Sequence, residues 1–337
     1  MPGFGQCLNS QLSNETFREI LALGFKKNAA QITDPSARKI LTERRRFSAS
    51  RLEKYVNCAF QYFSAYQLKL VEPAEGIENR ELGNLLHEIL DEYFKQLSEA
   101  ELRSLEFWDS PDKVAAQLES RLETKFSSES FSYLPEWRRR LCQETLGKAV
   151  RSFAKQECGL RSKRSFIPRF FELDFGSGKK NAYPPLSWET AGEKWEIEGR
   201  MDRVDMAPDD RALIIDYKLG GRDLAGDLKK GLEIQLPLYL IAGEKVFGWR
   251  LAGAELRFLK KGKKAGIYSE SEKESLGNKR GQSETKWNEI INNASRSIDE
   301  SLQRLKQADI AISPKSCKYC SYQPVCRFRK WEADDEA

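Results

Sequence analysis

Apolar positions divide this chain into a helical first half and an extended centre. Leu52, Tyr55, Val56, Ala59, Phe60 and Phe63 recur every three or four residues, the spacing that lines one face of a helix. Ser50 stands before most of that stripe and Glu53 three residues later, so the helix is expected to begin with a capping box at Ser50. Cys58 falls inside it. A second stripe of Leu82, Leu85, Leu86, Ile89, Leu90, Tyr93 and Phe94 predicts a helix over 81–97, and this helix carries His87, the single histidine of the chain. Further helix is expected over 111–156.

The period changes after Phe166. Residues 169–175 read as extended, 195–205 alternate as a strand does, 207–210 (Ala-Pro-Asp-Asp) form a turn, and 212–217 are strongly apolar. Together they predict a hairpin. Residues 233–246 return to helix, 254–259 predict another strand, and 286–307 read as a long polar helix. Residues 1–47 form a polar, weakly helical lead-in, and 331–337 an acidic tail.

At 337 residues with 40% hydrophobic content, the chain can build a sizeable core. No apolar run approaches the roughly 18 residues of a membrane span. The first residues, Met1-Pro2-Gly3-Phe4, lack a basic and apolar leader, so a cytoplasmic protein without membrane contact is expected. Net charge is a mild +5, from 56 basic and 51 acidic residues. Local clusters say more: Arg44 to Arg46, Arg138 to Arg140, Arg161 with Lys163 and Arg164, and Lys260, Lys261, Lys263 and Lys264 are each dense enough to contact phosphates. No phosphate-loop motif is present, so no ATPase motor is expected in this chain.

Seven cysteines are too few for a disulfide scaffold of this length, and their clustering favours metal binding. Cys317, Cys320 and Cys326 supply three thiolates where zinc or an iron–sulfur cluster takes four ligands, and Cys58, 259 residues before Cys317, is the candidate fourth. Spacing leaves zinc and iron–sulfur both open. Cys142 and Cys158 share a helix about 24 Å apart, too far for a disulfide. They read, with Cys7, as spare thiols.

On a strand, residues two apart share a face, so Asp216 and Lys218 point into one site while Tyr217 faces away. The hairpin can bring Asp202 beside Asp216, and two carboxylates can hold a hard divalent cation, Mg2+ or Mn2+, that polarises a phosphodiester oxygen. Lys218 would orient water or stabilise developing charge. His87 could add a nitrogen ligand, and Gln235 and Tyr239 lie four apart on one helix face.

That order of motifs resembles the PD-(D/E)XK nucleases of the RecB and AddB group over residues 48–327. Residues 48–60 look like the first helix of AddB-type nuclease domains, and Leu82-Gly83-Asn84-Leu85-Leu86-His87 like the histidine helix. Gly199-Arg200-Met201-Asp202-Arg203-Val204-Asp205 and Ile215-Asp216-Tyr217-Lys218 are similar to the two metal-binding strands, and Gln235 to Tyr239 to the Q-x-x-x-Y helix. The resemblance implies an α/β restriction-endonuclease-like core, a central mixed sheet flanked by helices, with helical insertions and a C-terminal iron–sulfur cysteine cluster. It implies a nuclease domain over 48–330. Asp202, Asp216 and the Tyr217 carbonyl, with His87, would bind metal; Lys218 would be catalytic; Gln235 and Tyr239 would support the site. Cys58, Cys317, Cys320 and Cys326 would hold a 4Fe-4S cluster. The implied activity is metal-dependent DNA hydrolysis, as an exonuclease on ends or single strands in repair and recombination, with a helicase subunit as partner. Alternatives are a non-catalytic DNA-binding subunit and a CRISPR-adaptation-type nuclease. AddB-type proteins carry long helicase-like regions before the nuclease, so a stand-alone enzyme, a split subunit and a fragment are all compatible with this chain.

Metal content separates the two cysteine readings. Protein purified anaerobically is expected to be brown and to absorb near roughly 400 nm, whereas stoichiometric zinc in colourless protein would reject the cluster. Cys58→Ser is expected to lose the metal and destabilise the fold; unchanged metal and stability would remove Cys58 from the ligand set.

Overall fold

The computed structural model describes residues 31–70, 79–127, 131–179, 183–220, 224–277, 281–315, 317 and 320–326, which leaves Cys7 and the tail over 331–337 outside the described residues. The helices in chain order are α1 (Pro35–Thr42), α2 (Ala49–Asn57), α3 (Ala59–Tyr62), α4 (Asn79–Gln96), α5 (Glu99–Arg103), α6 (Pro111–Ser127), α7 (Glu136–Arg161), α8 (Leu224–Lys229), α9 (Gln235–Lys245), α10 (Glu284–Lys306) and α11 (Gln323–Cys326). The strands are β1 (Arg46–Ser48), β2 (Ile167–Phe175), β3 (Leu186–Thr190), β4 (Glu193–Met206), β5 (Arg211–Lys218), β6 (Arg250–Phe258) and β7 (Lys263–Tyr268). Contacts divide the chain into two compact units. One comprises the described parts of Met1–Glu43, Asn57–Leu70 and Arg304–Ala337, the other those of Arg44–Val56 and Val71–Gln303.

In the larger unit all the strands join one mixed sheet. Its spine is β4: the first half pairs with β1 in parallel and with β3 antiparallel, the second with β2 and β5, both antiparallel. The sheet continues through a parallel β5–β6 pair to antiparallel β7. The turn between β4 and β5 closes with Ala207 N–H donating to the Arg211 carbonyl at 2.9 Å. Asp210 adopts φ +62° there, a left-handed conformation that a short polar side chain tolerates.

Burial on both faces explains why β5 alternates so weakly in sequence. Leu213, Ile215 and Tyr217 enter a core with apolar residues of α4, α6 and α7. On the other face Ile214 lies under α9, where a Cβ on Gly243 would come within 3.4 Å of its Cδ1. The stripe of α4 is buried as its spacing predicts. The helical stretch expected over 111–156 holds α6 and most of α7.

Two local expectations change. The second helix begins at Ala49, and Ser48 Oγ, rather than Ser50, accepts the Arg51 N–H at 3.3 Å. Cys58 lies between helices, in extended conformation at the N-terminus of α3. That break rotates the apolar face, so Tyr62 is buried while Phe60 and Phe63 are only partly covered.

The smaller unit gathers all four cysteines of the expected cluster. Lys315 N–H donates to the Asn57 carbonyl at 2.9 Å, which ties the segment just before Cys317 to the residue just before Cys58. Cys326 is buried at the end of α11, and Cys320 N–H donates to the Cys317 carbonyl at 3.1 Å. Cys142 and Cys158 are buried on α7, and burial pushes the Cys158 thiol up to about 11.

Beneath β5 lies a cluster of buried charges. Arg203 donates to Glu157 at 2.8 Å, to both oxygens of Asp205, and to the Tyr217 hydroxyl at 3.2 Å. Arg257 bridges Glu157 and Glu255, and Arg164 makes a two-pronged contact with Glu255 at 2.9 and 3.0 Å. Arg161 donates to the Phe166 and Leu102 carbonyls. The basic cluster at 161–164, expected on the surface, is therefore mostly internal, because its acidic partners come from α7 and β6.

Burial would raise the Glu157 carboxyl, but Arg203 and Arg257 outweigh it and hold the group well below the usual carboxylate range; Arg164 and Arg257 do the same for Glu255. Groups lowered on folding contribute stability that is fully present above the unfolded carboxylate value, about 4.3, and is lost as pH falls below it. Acid unfolding followed by circular dichroism is expected to begin below about pH 4.3. Glu157→Gln, which leaves two buried guanidiniums short of charge, is expected to cost about 3–5 kcal/mol in denaturant unfolding.

Candidate active site

Five elements meet at the C-terminal end of β5. The pairing of Arg203 with Ile215 places Asp202 opposite Asp216 at the next register position. Tyr217 N–H donates to Asp202 Oδ2 at 2.7 Å, continuing the strand contact through a side chain. From α4, His87 Nε2 donates to the Tyr217 carbonyl at 2.9 Å while Nδ1 lies 3.3 Å from Asp202 Oδ1. Tyr217 itself turns away, its ring edge-on to Phe153 of α7.

From α9, Gln235 bridges the two charged residues of β5. Its Nε2 donates to Asp216 Oδ1 at 2.8 Å and its Oε1 accepts from Lys218 Nζ at 3.0 Å. Tyr239, one turn on, accepts from Gln235 at 3.1 Å and donates to the Arg200 carbonyl at 2.8 Å. Gly199 makes this packing feasible: a Cβ there would lie 2.6 Å from the Phe175 ring and 3.0 Å from Tyr239. The residues expected to act together, His87, Asp202, Asp216, Tyr217, Lys218, Gln235 and Tyr239, thus converge in one network.

Glu172 joins them unforeseen. Its neighbours Phe171 and Leu173 pair with Arg203 and Met201, so Glu172 sits across from Asp202, with a left-handed φ of +48°. His87, Glu172 and Asp202 each offer a ligand atom within 4.8 Å of the others. The signal in the sequence is an acid set among Phe170, Phe171 and Leu173, where an apolar strand residue belongs.

The electrostatics suit a cation. Burial pushes the Asp216 carboxyl up to about 6, Lys218 pulling it down and Asp202 raising it again. Burial also raises Glu172, with Asp202 adding to it. Burial would lower His87, but the charge and hydrogen bond of Asp202 carry it up to about 9. Asp216 Oδ2 is buried, and Lys218 Nζ stands 2.6 Å away as its ion-pair partner. Carboxylates and a backbone carbonyl fit a hard divalent ion, and His87 would join them as a ligand on giving up its proton.

A profile of the PD-(D/E)XK nuclease superfamily matches residues 46–327, and this chain belongs to that superfamily, whose nucleases use divalent metals. It is similar to curated proteins that are named as the B subunits of ATP-dependent helicase/deoxyribonucleases. That of Caldanaerobacter subterraneus is 35% identical over 61% of this chain and 18% of the relative. That of Clostridium novyi is 30% identical over 66% and 20%. That of Clostridium acetobutylicum is 25% identical over 91% and 32%. The chain therefore spans 18% to 32% of the length of these relatives.

Saturating Mn2+ is expected to raise the melting temperature by roughly 4–5 °C, the shift that a ligand at a hundred times its Kd gives a domain of this size. Asp202→Ala is expected to abolish that shift. Equal shifts in both proteins would place the ion elsewhere.

Proposed function

We propose that this chain is a metal-dependent deoxyribonuclease that hydrolyses phosphodiester bonds at the end of β5. The observation that carries the reading is the Gln235 bridge. One amide orients both a fully enclosed acid and a lysine whose side chain remains about one-third exposed. Pre-oriented donors and acceptors of this kind favour a charge that develops during reaction.

In this reading Asp202, Asp216, the Tyr217 carbonyl and His87 hold Mg2+ or Mn2+, with Glu172 adjoining them. The ion supplies Lewis-acid polarisation of a phosphodiester oxygen. Lys218 faces the reacting phosphate and stabilises its added charge, while Gln235 accepts a second of its N–H bonds and fixes its direction. Tyr239 fixes Gln235 through the Arg200 carbonyl.

The four cysteines of the smaller unit hold a 4Fe-4S cluster in this proposal, with a structural role. The Asn57–Lys315 hydrogen bond supports Cys58 as the distant ligand. The names of the relatives support DNA as substrate and a helicase as partner, in DNA repair. Among the described residues no helix is long and apolar enough to cross a membrane.

Purified protein with Mn2+ or Mg2+ is expected to degrade DNA. Asp216→Ala and Lys218→Ala are each expected to lower kcat by about a thousandfold or more while thermal melting shows an intact fold. Wild-type protein that binds DNA and cuts no form of it would overturn the enzymatic reading.

A further inference from the structure

The basic clusters of the sequence have different fates in the fold. Arg45 and Arg46 pair with Glu193 and Glu196 of β4. Arg161 and Arg164 are internal. Lys264 turns toward Glu255 at 3.6 Å. Lys260, Lys261 and Lys263, by contrast, are exposed and form no ion pair among the described residues. They occupy the tight turn between β6 and β7, with Gly262 at φ +58°.

This turn is pressed against α7. A Cβ on Gly262 would lie 2.9 Å from Ser152 Oγ, a close approach that glycine permits. The face of α7 at that point carries Lys148, Arg151, Ser152, Lys155 and Gln156, the spacing of a single helix stripe. These residues and Gly262 line a recess of about 510 Å³. Arg151 is balanced by Glu119. Lys148 and Lys155 are exposed and form no ion pair among the described residues; they line the recess with no acidic residue beside them in it, and Lys260, Lys261 and Lys263 flank its Gly262 edge. Such a concentration of like charge favours an anionic partner.

Location links the groove to the chemistry. Lys260 N–H donates to the carbonyl of Leu219, the residue after Lys218, at 3.3 Å. The cationic turn therefore starts where the catalytic strand ends. Lys148 and Lys155 lie about 10 Å apart along α7, more than one phosphate spans, which suits a repeating anion. The recess is a single cleft between α7 and the Gly262 turn, which suits one backbone passing along it.

We infer that this groove and the adjoining turn bind the phosphate backbone of a single DNA strand through Lys148 and Lys155 in the recess and Lys260, Lys261 and Lys263 at its Gly262 edge, outside the catalytic network and leading to it. The inference rests on the nuclease reading, and its test separates the two. Full-length protein and a variant with these five lysines changed to Ala are compared for binding to a fluorescent single-stranded oligonucleotide without divalent metal, across NaCl concentrations, and for cleavage with Mn2+. The slope of log Kobs against log[NaCl] is expected to flatten by roughly 2–3.5, at about 0.7 for each lost phosphate contact. KM is expected to rise at least about tenfold at 0.15 M salt with kcat unchanged, and the corresponding Lys→Arg variant to retain wild-type values. An unchanged slope and KM in an enzyme that still cuts DNA would overturn the groove and leave the nuclease reading intact. Loss of binding to duplex but not to the single strand would overturn the single-strand assignment. A wild type that never cuts, paired with a variant that loses single-strand binding, would overturn the nuclease reading and support the groove.

Discussion

The larger unit depends on the charges buried where α7 crosses the sheet. Glu157 on α7, Arg203 and Asp205 on β4, and Glu255 and Arg257 on β6 are all within 1% of fully buried, and each is satisfied by the others. Isolated, any one of them would be expensive to desolvate. Together they fix one alignment, because a slip of β4 or β6 by one residue would turn an arginine to the opposite face. An apolar core of the same volume could tolerate small displacements of α7; this cluster penalises them.

The same alignment reaches the site through Tyr217. Its hydroxyl accepts from Arg203 on one side of the sheet, its N–H donates to Asp202, and its carbonyl accepts from His87. A single residue thus couples the buried cluster to the candidate metal ligands. Its ring is further held by Phe153 and by the edge of His87. Movement of Tyr217 would disturb Asp202 and His87 at once, which explains how a site at a strand end is kept rigid beside solvent.

Much of this could be read in the sequence. The stripe of α4, the hairpin carrying Asp202 and Asp216, and the four-residue spacing of Gln235 and Tyr239 are local patterns with local causes. What escaped depends on partners far away. Arg161 and Arg164 read as surface charge because Glu157 and Glu255 become their neighbours only after folding. Glu172 needed the β2–β4 register, and β1, β3 and β7 are short or interrupted by lysine and glycine. The helix cap at Ser48 in place of Ser50 and the break at Cys58 are shifts of a residue or two that propensity does not resolve.

Buried carboxylates in this protein fall into two kinds, and the difference supports the assignment of roles. In Glu157 each oxygen accepts from an arginine, and in Glu255 arginines and the Tyr268 hydroxyl occupy both. Those arginines hold both groups well below the usual carboxylate range, as structural acids require. Asp216 is just as enclosed, yet its partners are the Gln235 amide and the Lys218 ammonium rather than arginines, and burial pushes it up to about 6. A fold able to surround two deep glutamates with arginines has the means to do so for an aspartate. Keeping a buried acid at a raised pKa costs stability, and such a cost persists where a function needs the group. This acid lies on the face of β5 opposite the arginine cluster, paired with the one ammonium of that strand that reaches solvent.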